Sequence, residues 1–409
     1  MTTRRVILLG STGSVGKQAI DVIRHLNALH ARGDFPVRFE VVGLAARSRL
    51  DTLASQWSEF SSARLAVASD NLGVHGIAGL TRGGAVFTGP DAAERLVREV
   101  GCDVVVSAIV GSAGLAATVA AVELGRHVAV ANKESLVAAG SILVPSARSS
   151  GSCLLPLDSE HSALWQCLDA SPGDGVQARP APPTMVGPGV SRVILTASGG
   201  PFRTWSKERI DLATPEEALR HPTWSMGAKV TIDSASLMNK ALEVIEAYWL
   251  FGVPGDRIEA VIHPQSIVHG MVEYADGSVI AHMAVADMRL PIQHALAWPR
   301  RLPGAWPRLD WRGVGRLDFE PPDLDRFPAL ALARLVIEPR HAQGTSGAIL
   351  TAANEEAVRA FLEHRIRFGR ISELVAGALG SVGSSEVRGL GDVLEAERQA
   401  REYVRRSVG

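Results

Sequence analysis

The sequence predicts an α/β fold, with an N-terminal doubly wound parallel sheet, a central α/β domain and a C-terminal helical bundle. Three observations carry this. From residue 1 to about 150, short apolar runs alternate with helix-patterned stretches, and strands alternating with helices build parallel sheets. A glycine-rich turn, Gly10-Ser-Thr-Gly13-Ser-Val-Gly16, stands where the first apolar run meets the first helical pattern. Residues 329–409 are helical in pattern throughout.

In the first domain (1–150), VILLG, FEVVGLAA, ARLAVAS, CDVVVSAIV and HVAVAN read as strands. SVGKQAIDVIRHL, RLDTLASQW, AAERLVREV and LAATVAAVELG read as the helices between them. The second domain (151–298) holds LLPLDSE, SRVILTASGG, one helix from about Ser234 to Phe251, and two strand-like runs, IEAVIHPQS and GSVIAHMAV. Its insertion SPGDGVQARPAPPTMVGPGV (171–190) is too rich in Pro and Gly for regular structure. Residues 299–328 read as a linker packed down by Trp306 and Trp311. ALALARLVIE, GAILTAANEEAVRAFLEH, ISELVAGALG and GLGDVLEAERQAREYVRR then form the bundle, 329–409.

A chain of 409 residues allows two or three domains at roughly 150 residues each. The net charge of −1, with no basic tail or stripe, argues against a nucleic-acid partner. Cys102, Cys153 and Cys167 form no CxxC pair, so neither a disulfide framework nor a zinc site is indicated. The apolar run Val6–Leu9 is too short for a signal-peptide core. No window approaches the roughly 18 apolar residues of a membrane span. A cytoplasmic protein without a membrane partner is expected.

The glycine turn has a physical logic. Gly10 permits a tight turn, Gly13 lets backbone N–H groups approach a pyrophosphate, and Gly16 lets the helix pack close to the sheet. Its place between strand and helix makes it the Rossmann-like dinucleotide signature rather than a bare pattern. NAD binders carry an acid at the end of the second strand. VVGLAARSRL offers Arg47, Ser48 and Arg49 there, with no acid before Asp51, which suits the extra phosphate of NADP. Short-chain dehydrogenases need a lysine four residues after a tyrosine, but Tyr248, Tyr274 and Tyr403 are followed at that distance by Gly252, Ser278 and Ser407. Semialdehyde dehydrogenases need an activated cysteine, and neither Cys153 nor Cys167 has an activating motif.

Asp158 and Glu160 are two apart, so on an extended segment both carboxylates share a face. Hard oxygen ligands suit Mg²⁺ or Mn²⁺. Glu243 offers a third carboxylate, with Glu246 as its rival one turn on. Polar groups gather at the ends of other apolar runs, in Asn132-Lys133-Glu134-Ser135, in Ser198-Gly199-Gly200, and from Ser234 to Glu243. Asp233 or Ser234 is the expected N-cap of the long helix, on which Asn239 and Glu243 share a face. Ser198, Ser234, Asn239 and Lys240 together make a phosphate site. Lys240–Glu243 reads either as an exposed ion pair or as charges facing a cleft; the apolar neighbours Leu237, Met238, Leu242, Val244 and Ile245 favour the cleft. His221–Gly227 reads either as a flap or as a loop whose Trp224 and Met226 pack into the core. His263 and His269 read as structural histidines.

GSTGSVG, ANKESLV, LPLDSEHSA, LTASGGPF, HPTWSMGAKVTIDSASLMNKALEVIEA, IHPQSIVHGMV, DMRLPIQHALAWP and LTAANEEAVRAFL occur in this order. Together they resemble the 1-deoxy-D-xylulose 5-phosphate reductoisomerases over nearly the whole chain. The resemblance implies conversion of 1-deoxy-D-xylulose 5-phosphate to 2-C-methyl-D-erythritol 4-phosphate, with NADPH, a divalent cation (Mn²⁺, Mg²⁺ or Co²⁺) and a homodimer. By motif it implies Asp158, Glu160 and Glu243 as metal ligands, with Lys133 joining them in catalysis. Ser198, Ser234, Asn239, Lys240 and His221 would hold the substrate phosphate. Lys133, Ser159 and Glu160 would contact the hydroxyl end, and Trp224 would cover the substrate. Thr12, Gly13, Ser14 and Val15 would bind the cofactor, with Ala46, Arg47 and Ser48 at its ribose phosphate and Asn132, Glu134 and Gly227 completing the site. Two departures from the family pattern are Ala46, where glycine is usual, and the missing proline before Asp287. Two alternatives are a catalytically silent NADP-sensing protein of the same fold and a sugar-phosphate dehydrogenase that performs no rearrangement.

Overall fold

The computed structural model describes residues 2–69, 86–169, 181–224 and 226–409. The chain forms two compact units. Unit one comprises Met1–Ser135, Pro145–Asp158 and Asp287–Trp306; unit two comprises Leu136–Val144, Ser159–Ala286 and Pro307–Gly409.

Unit one is built on a seven-stranded sheet. Its strands are β1 (Thr2–Leu9), β2 (Val37–Ala46), β3 (Arg64–Val67), β4 (Val86–Thr88), β5 (Val104–Ser107), β6 (His127–Val130) and β7 (Leu154–Pro156). They lie in the order β4-β3-β2-β1-β5-β6-β7, and every pairing is parallel. Parallel strands covered on both faces read as unbroken apolar runs. Val6–Leu9 and Val104–Val106 are such runs, and all are buried. Strand order reverses between β1 and β5, whose ends Leu9 and Ser107 are in register. Ligands of open α/β sheets bind beyond the carboxyl ends at such a reversal.

Two strands of this sheet differ from the expectation. β4 has only three residues, and no period can be read from so short a run. LLPLDSE, expected to open the second domain, supplies β7, which pairs with β6 and extends the parallel sheet.

Unit two holds a mixed sheet of β8 (Val190–Ala197), β9 (Ile258–Ile262), β10 (Val268–Tyr274) and β11 (Val279–Met283), in the order β11-β10-β8-β9. β10 was not expected as a strand. Its interior Gly270 breaks the pattern for a structural reason. A Cβ there would lie 3.2 Å from the Glu160 carbonyl oxygen and 3.3 Å from Ala163 Cβ. The glycine lets the helix Ser159–Asp169 lie close across the sheet.

The expected single helix from Ser234 to Phe251 is two helices, Ala228–Ala235 and Met238–Phe251. Leu237 separates them in a left-handed conformation, with φ 58°. Asp233 therefore lies inside the first helix. It is buried, pairs with Lys229 at 2.7 Å and accepts from Asn354 Nδ2 at 2.8 Å. Neither Asp233 nor Ser234 caps the second helix.

The C-terminal helices Ser346–Leu362, Arg370–Val382 and Leu390–Val408 pack on one another. Phe361, Phe368 and Phe202 form an edge-to-face aromatic chain between them and the loop after β8. Of the insertion expected at 171–190, residues 171–180 lie outside the described residues, and 181–189 are irregular. In the stretch read as a linker, Trp306 donates from its indole N–H to Gln293 Oε1 at 2.9 Å. Trp311, expected to pack down, is 67% exposed. No helix among the described residues is long and apolar enough to cross a membrane.

Candidate active site

The nucleotide loop sits at the end of β1. Gly10 has φ 80°, and a Cβ there would meet the Ala108 carbonyl oxygen at 2.5 Å. A Cβ at Gly16 would lie 2.3 Å from the Gly10 carbonyl oxygen. Both positions thus require glycine. The helix Ser14–Ala31 begins after Gly13, which contributes no side-chain cap, so its first N–H groups face outward. Thr12, Gly13, Ser14 and Val15 form this turn. At the end of β2, Ala46 is buried whereas Arg47 and Ser48 are exposed.

At the end of β6, Asn132 caps the helix Lys133–Ser150, accepting from Ser135 N–H at 3.3 Å. Its amide donates to the Gly111 carbonyl at 3.0 Å and to Ser135 Oγ at 2.8 Å. The cap fixes the first turn and with it Lys133 and Glu134, both buried. The Lys133 ammonium pairs with the Asp158 carboxylate. Asp158 follows β7 and is the last residue of this stretch of unit one.

In unit two, Glu160 lies in the first turn of the helix Ser159–Asp169. Asp158 and Glu160 thus occupy a strand-to-helix junction rather than the extended segment expected. Ser159 Oγ donates to Glu160 Oε2 at 2.5 Å. Carboxylate oxygens of Glu160 and Glu243 approach within 4.8 Å. The Lys240 ammonium lies 3.0 Å from Glu160 Oε1 and also pairs with Glu243. Asn239 Nδ2 donates to Glu243 Oε1 at 2.5 Å. Lys240 is 3% exposed and Glu243 0%, so this is not an exposed surface pair. A buried carboxylate this close to a half-buried one demands positive charge, which the lysine provides.

The helices that carry these carboxylates are tied together by a residue the sequence reading passed over. His161 is fully buried, and its Nε2 donates to the Glu243 carbonyl at 2.8 Å. Glu246, the rival third ligand, lies 3.6 Å from His161 Nδ1. A histidine next to Glu160 was the available signal, but its partner is 82 residues away.

A second polar cluster surrounds His221. Its Nδ1 accepts from the N–H groups of Thr223 (3.1 Å) and Trp224 (2.9 Å). The proton of the neutral ring must then sit on Nε2. Nε2 is 3.1 Å from both Ser198 Oγ and Ser234 Oγ. Burial pushes the imidazole below its ordinary value of 6.5. Gly199 and Gly200 have positive φ, and a Cβ on Gly200 would lie 2.8 Å from the Ser234 carbonyl. The glycine pair brings Ser198 beside Ser234. Trp224 is half-buried, with its ring edge-on to His269 at 6.2 Å. Ser225, within the expected flap, lies outside the described residues. Gly227 caps the helix Ala228–Ala235. His263 has both ring nitrogens bonded, to the Asp318 carbonyl and to Ile267 N–H. Burial raises the thiols of Cys102, to about 11, and Cys153, away from nucleophile chemistry.

Comparison with known proteins gives this constellation its context. Residues 6–140 match the family model for 1-deoxy-D-xylulose 5-phosphate reductoisomerase, 154–251 that for its C-terminal domain, and 283–403 that for the DXP reductoisomerase C-terminal domain. A 1-deoxy-D-xylulose 5-phosphate reductoisomerase of Gloeobacter violaceus is 45% identical over 406 residues, covering 98% of this chain and 97% of its own length. The chain belongs to the 1-deoxy-D-xylulose 5-phosphate reductoisomerase family. A relative of that name from Mycobacterium avium is 47% identical over 411 residues, covering 99% of this chain and 93% of its own. Among solved structures, a DOX-P reductoisomerase in complex with NADPH, fosmidomycin and magnesium matches with a TM-score of 0.87 at 35% identity, over 99% of this chain and 98% of that one. The reductoisomerase of Zymomonas mobilis in complex with NADPH matches with a TM-score of 0.85 at 38% identity, over 100% of this chain and 99% of that one.

Proposed function

We propose that this chain converts 1-deoxy-D-xylulose 5-phosphate to 2-C-methyl-D-erythritol 4-phosphate, using NADPH and a divalent cation. The observation that carries the reading is the cluster of half-buried Glu160 with buried Lys240 and Glu243, in a chain that belongs to this family. The donor set fits the cation. Glu160 and Glu243 are hard oxygen ligands within 4.8 Å of each other, and Asp158, two residues before Glu160, completes the proposed set. When bound, the cation supplies Lewis acidity to the substrate's carbonyl and neighbouring hydroxyl oxygens, and NADPH supplies the hydride.

The chain's own residues do the rest. Lys133, oriented by its pairing with Asp158, donates to substrate oxygen and steadies negative charge as it develops there. Ser159 and Glu160 contact the hydroxyl end. Ser198, Ser234, Asn239, Lys240 and the Nε2–H of His221 hold the phosphate, whose binding energy drives closure of the 221–227 loop, with Trp224 excluding water. Thr12, Gly13, Ser14 and Val15 cradle the dinucleotide pyrophosphate. Arg47, with Ala46 and Ser48, selects the ribose phosphate, and Asn132, Glu134 and Gly227 complete that site. In this reading the protein is a cytoplasmic homodimer; light scattering tests the dimer.

The test of the activity is product analysis after incubation with 1-deoxy-D-xylulose 5-phosphate, NADPH and Mn²⁺. The expected product is the branched tetritol phosphate. An unbranched alcohol would indicate a plain dehydrogenase, and NADPH binding without turnover a sensing protein.

A further inference from the structure

The carbonyl oxygens of the nucleotide loop are all engaged by donors. Gly13 N–H donates to the Gly10 carbonyl at 3.0 Å, and Lys17 N–H to the Gly13 carbonyl at 3.0 Å. The two carbonyls between them are held from outside the loop. Gln56 Nε2 donates to the Ser11 carbonyl at 2.9 Å, and Arg49 Nη1 to the Thr12 carbonyl at 3.1 Å. Only the amide end of Gln56 can donate to a carbonyl, so its orientation is dictated. Gln56 is buried at 7% exposure. Its Oε1 is buried with no hydrogen-bond partner among the described residues. Arg49 precedes the helix Leu50–Glu59, and Gln56 stands seven residues on, so both project from one helix face.

A carbonyl oxygen turned toward a pyrophosphate would repel it, whereas N–H groups attract it. We infer that Gln56 and Arg49 are positioning residues for the dinucleotide. By tying down the Ser11 and Thr12 carbonyls, they leave the loop presenting only N–H groups to the pyrophosphate. This inference rests on the proposed use of NADPH. It assigns to the helix after β2 a role separate from recognition of the ribose phosphate by Arg47.

The two roles are separable by experiment. A loop that presents the pyrophosphate poorly weakens NADPH and NADH by the same factor, whereas loss of a ribose-phosphate contact weakens NADPH alone. Dissociation constants of both dinucleotides are measured by fluorescence titration for the wild type, Gln56→Leu, Gln56→Glu, Arg49→Ala and Arg47→Ala. Gln56→Leu is expected to weaken both by about tenfold. Gln56→Glu, similar in size but with an acceptor facing the Ser11 carbonyl, weakens both further. Arg49→Ala, at an exposed position that leaves the core intact, weakens both by roughly threefold to tenfold. Arg47→Ala is the contrast, shifting the NADPH-to-NADH ratio. The KM for sugar phosphate stays within twofold of wild type in the Gln56 and Arg49 variants. Unchanged affinities in both Gln56 variants and in Arg49→Ala overturn the inference. So does an Arg49→Ala defect confined to NADPH, which would make Arg49 a direct phosphate ligand. A wild type that binds neither dinucleotide overturns the proposed function itself.

Discussion

Replacing Lys240 with methionine removes the ammonium that joins Glu160 and Glu243 while keeping most of the side chain's volume. Lys240 is 3% and Glu243 0% exposed, so solvent cannot replace the lost charge. Breaking a buried pair from one side costs about 3–5 kcal/mol, because the remaining charge stays uncompensated. At roughly 2–4 °C per kcal/mol for a domain of 150–250 residues, the melting temperature in EDTA should fall by roughly 6–20 °C. A divalent cation held by the same carboxylates, as proposed, would stabilise by mass action, by about 2.7 kcal/mol at a hundred times its dissociation constant. In the wild type the lysine competes for those oxygens. Mn²⁺ should therefore raise the melting temperature of Lys240→Met more than that of the wild type. The assay is thermal unfolding of both proteins, with EDTA and across a Mn²⁺ titration. Equal melting temperatures in EDTA, or equal responses to Mn²⁺, would show that Lys240 is not the counter-charge of these carboxylates.

Two further predictions concern unit two. Burial holds His221 below its ordinary 6.5. Between that value and its lower folded one the unfolded chain binds the extra proton, so stability is complete above about pH 6.5 and falls as the pH drops below it. The melting temperature of His221→Gln should fall less steeply than wild type from pH 7 to 5; parallel curves would contradict this. Asn354→Leu deletes the amide donated to buried Asp233 at 2.8 Å and should lower unfolding stability by about 1.5–3 kcal/mol. The urea midpoint reads this, and an unchanged midpoint counts against it.

What the sequence disclosed and what it hid divide along physical lines. The glycines at 10, 13 and 16 were legible because their reason is local: a turn, then a helix packed on the same turn. The alternation of strands and helices gave the parallel sheet for the same reason. Asp158 and Glu160 were legible as a carboxylate pair, but the assumption of extended backbone failed because the helix begins at Ser159. Leu237 gave no warning of its left-handed backbone, since leucine carries no preference for it, so two helices read as one. β10 was hidden by Gly270, whose missing side chain matters only once the helix Ser159–Asp169 lies across it. The burial of Lys240, the contact of His161 with the Glu243 carbonyl and the clamps from Gln56 and Arg49 all join residues far apart in the chain. No local pattern announces them.

The central claim is that Glu243 serves the chemistry of the substrate and not the binding of the dinucleotide. Turnover of 1-deoxy-D-xylulose 5-phosphate by Glu243→Gln in saturating Mn²⁺, measured beside its affinity for NADPH, tests it most directly. Turnover is expected to fall at least about a hundredfold while the NADPH dissociation constant stays within twofold of wild type. Near-wild-type turnover would contradict it and move the third ligand away from this residue.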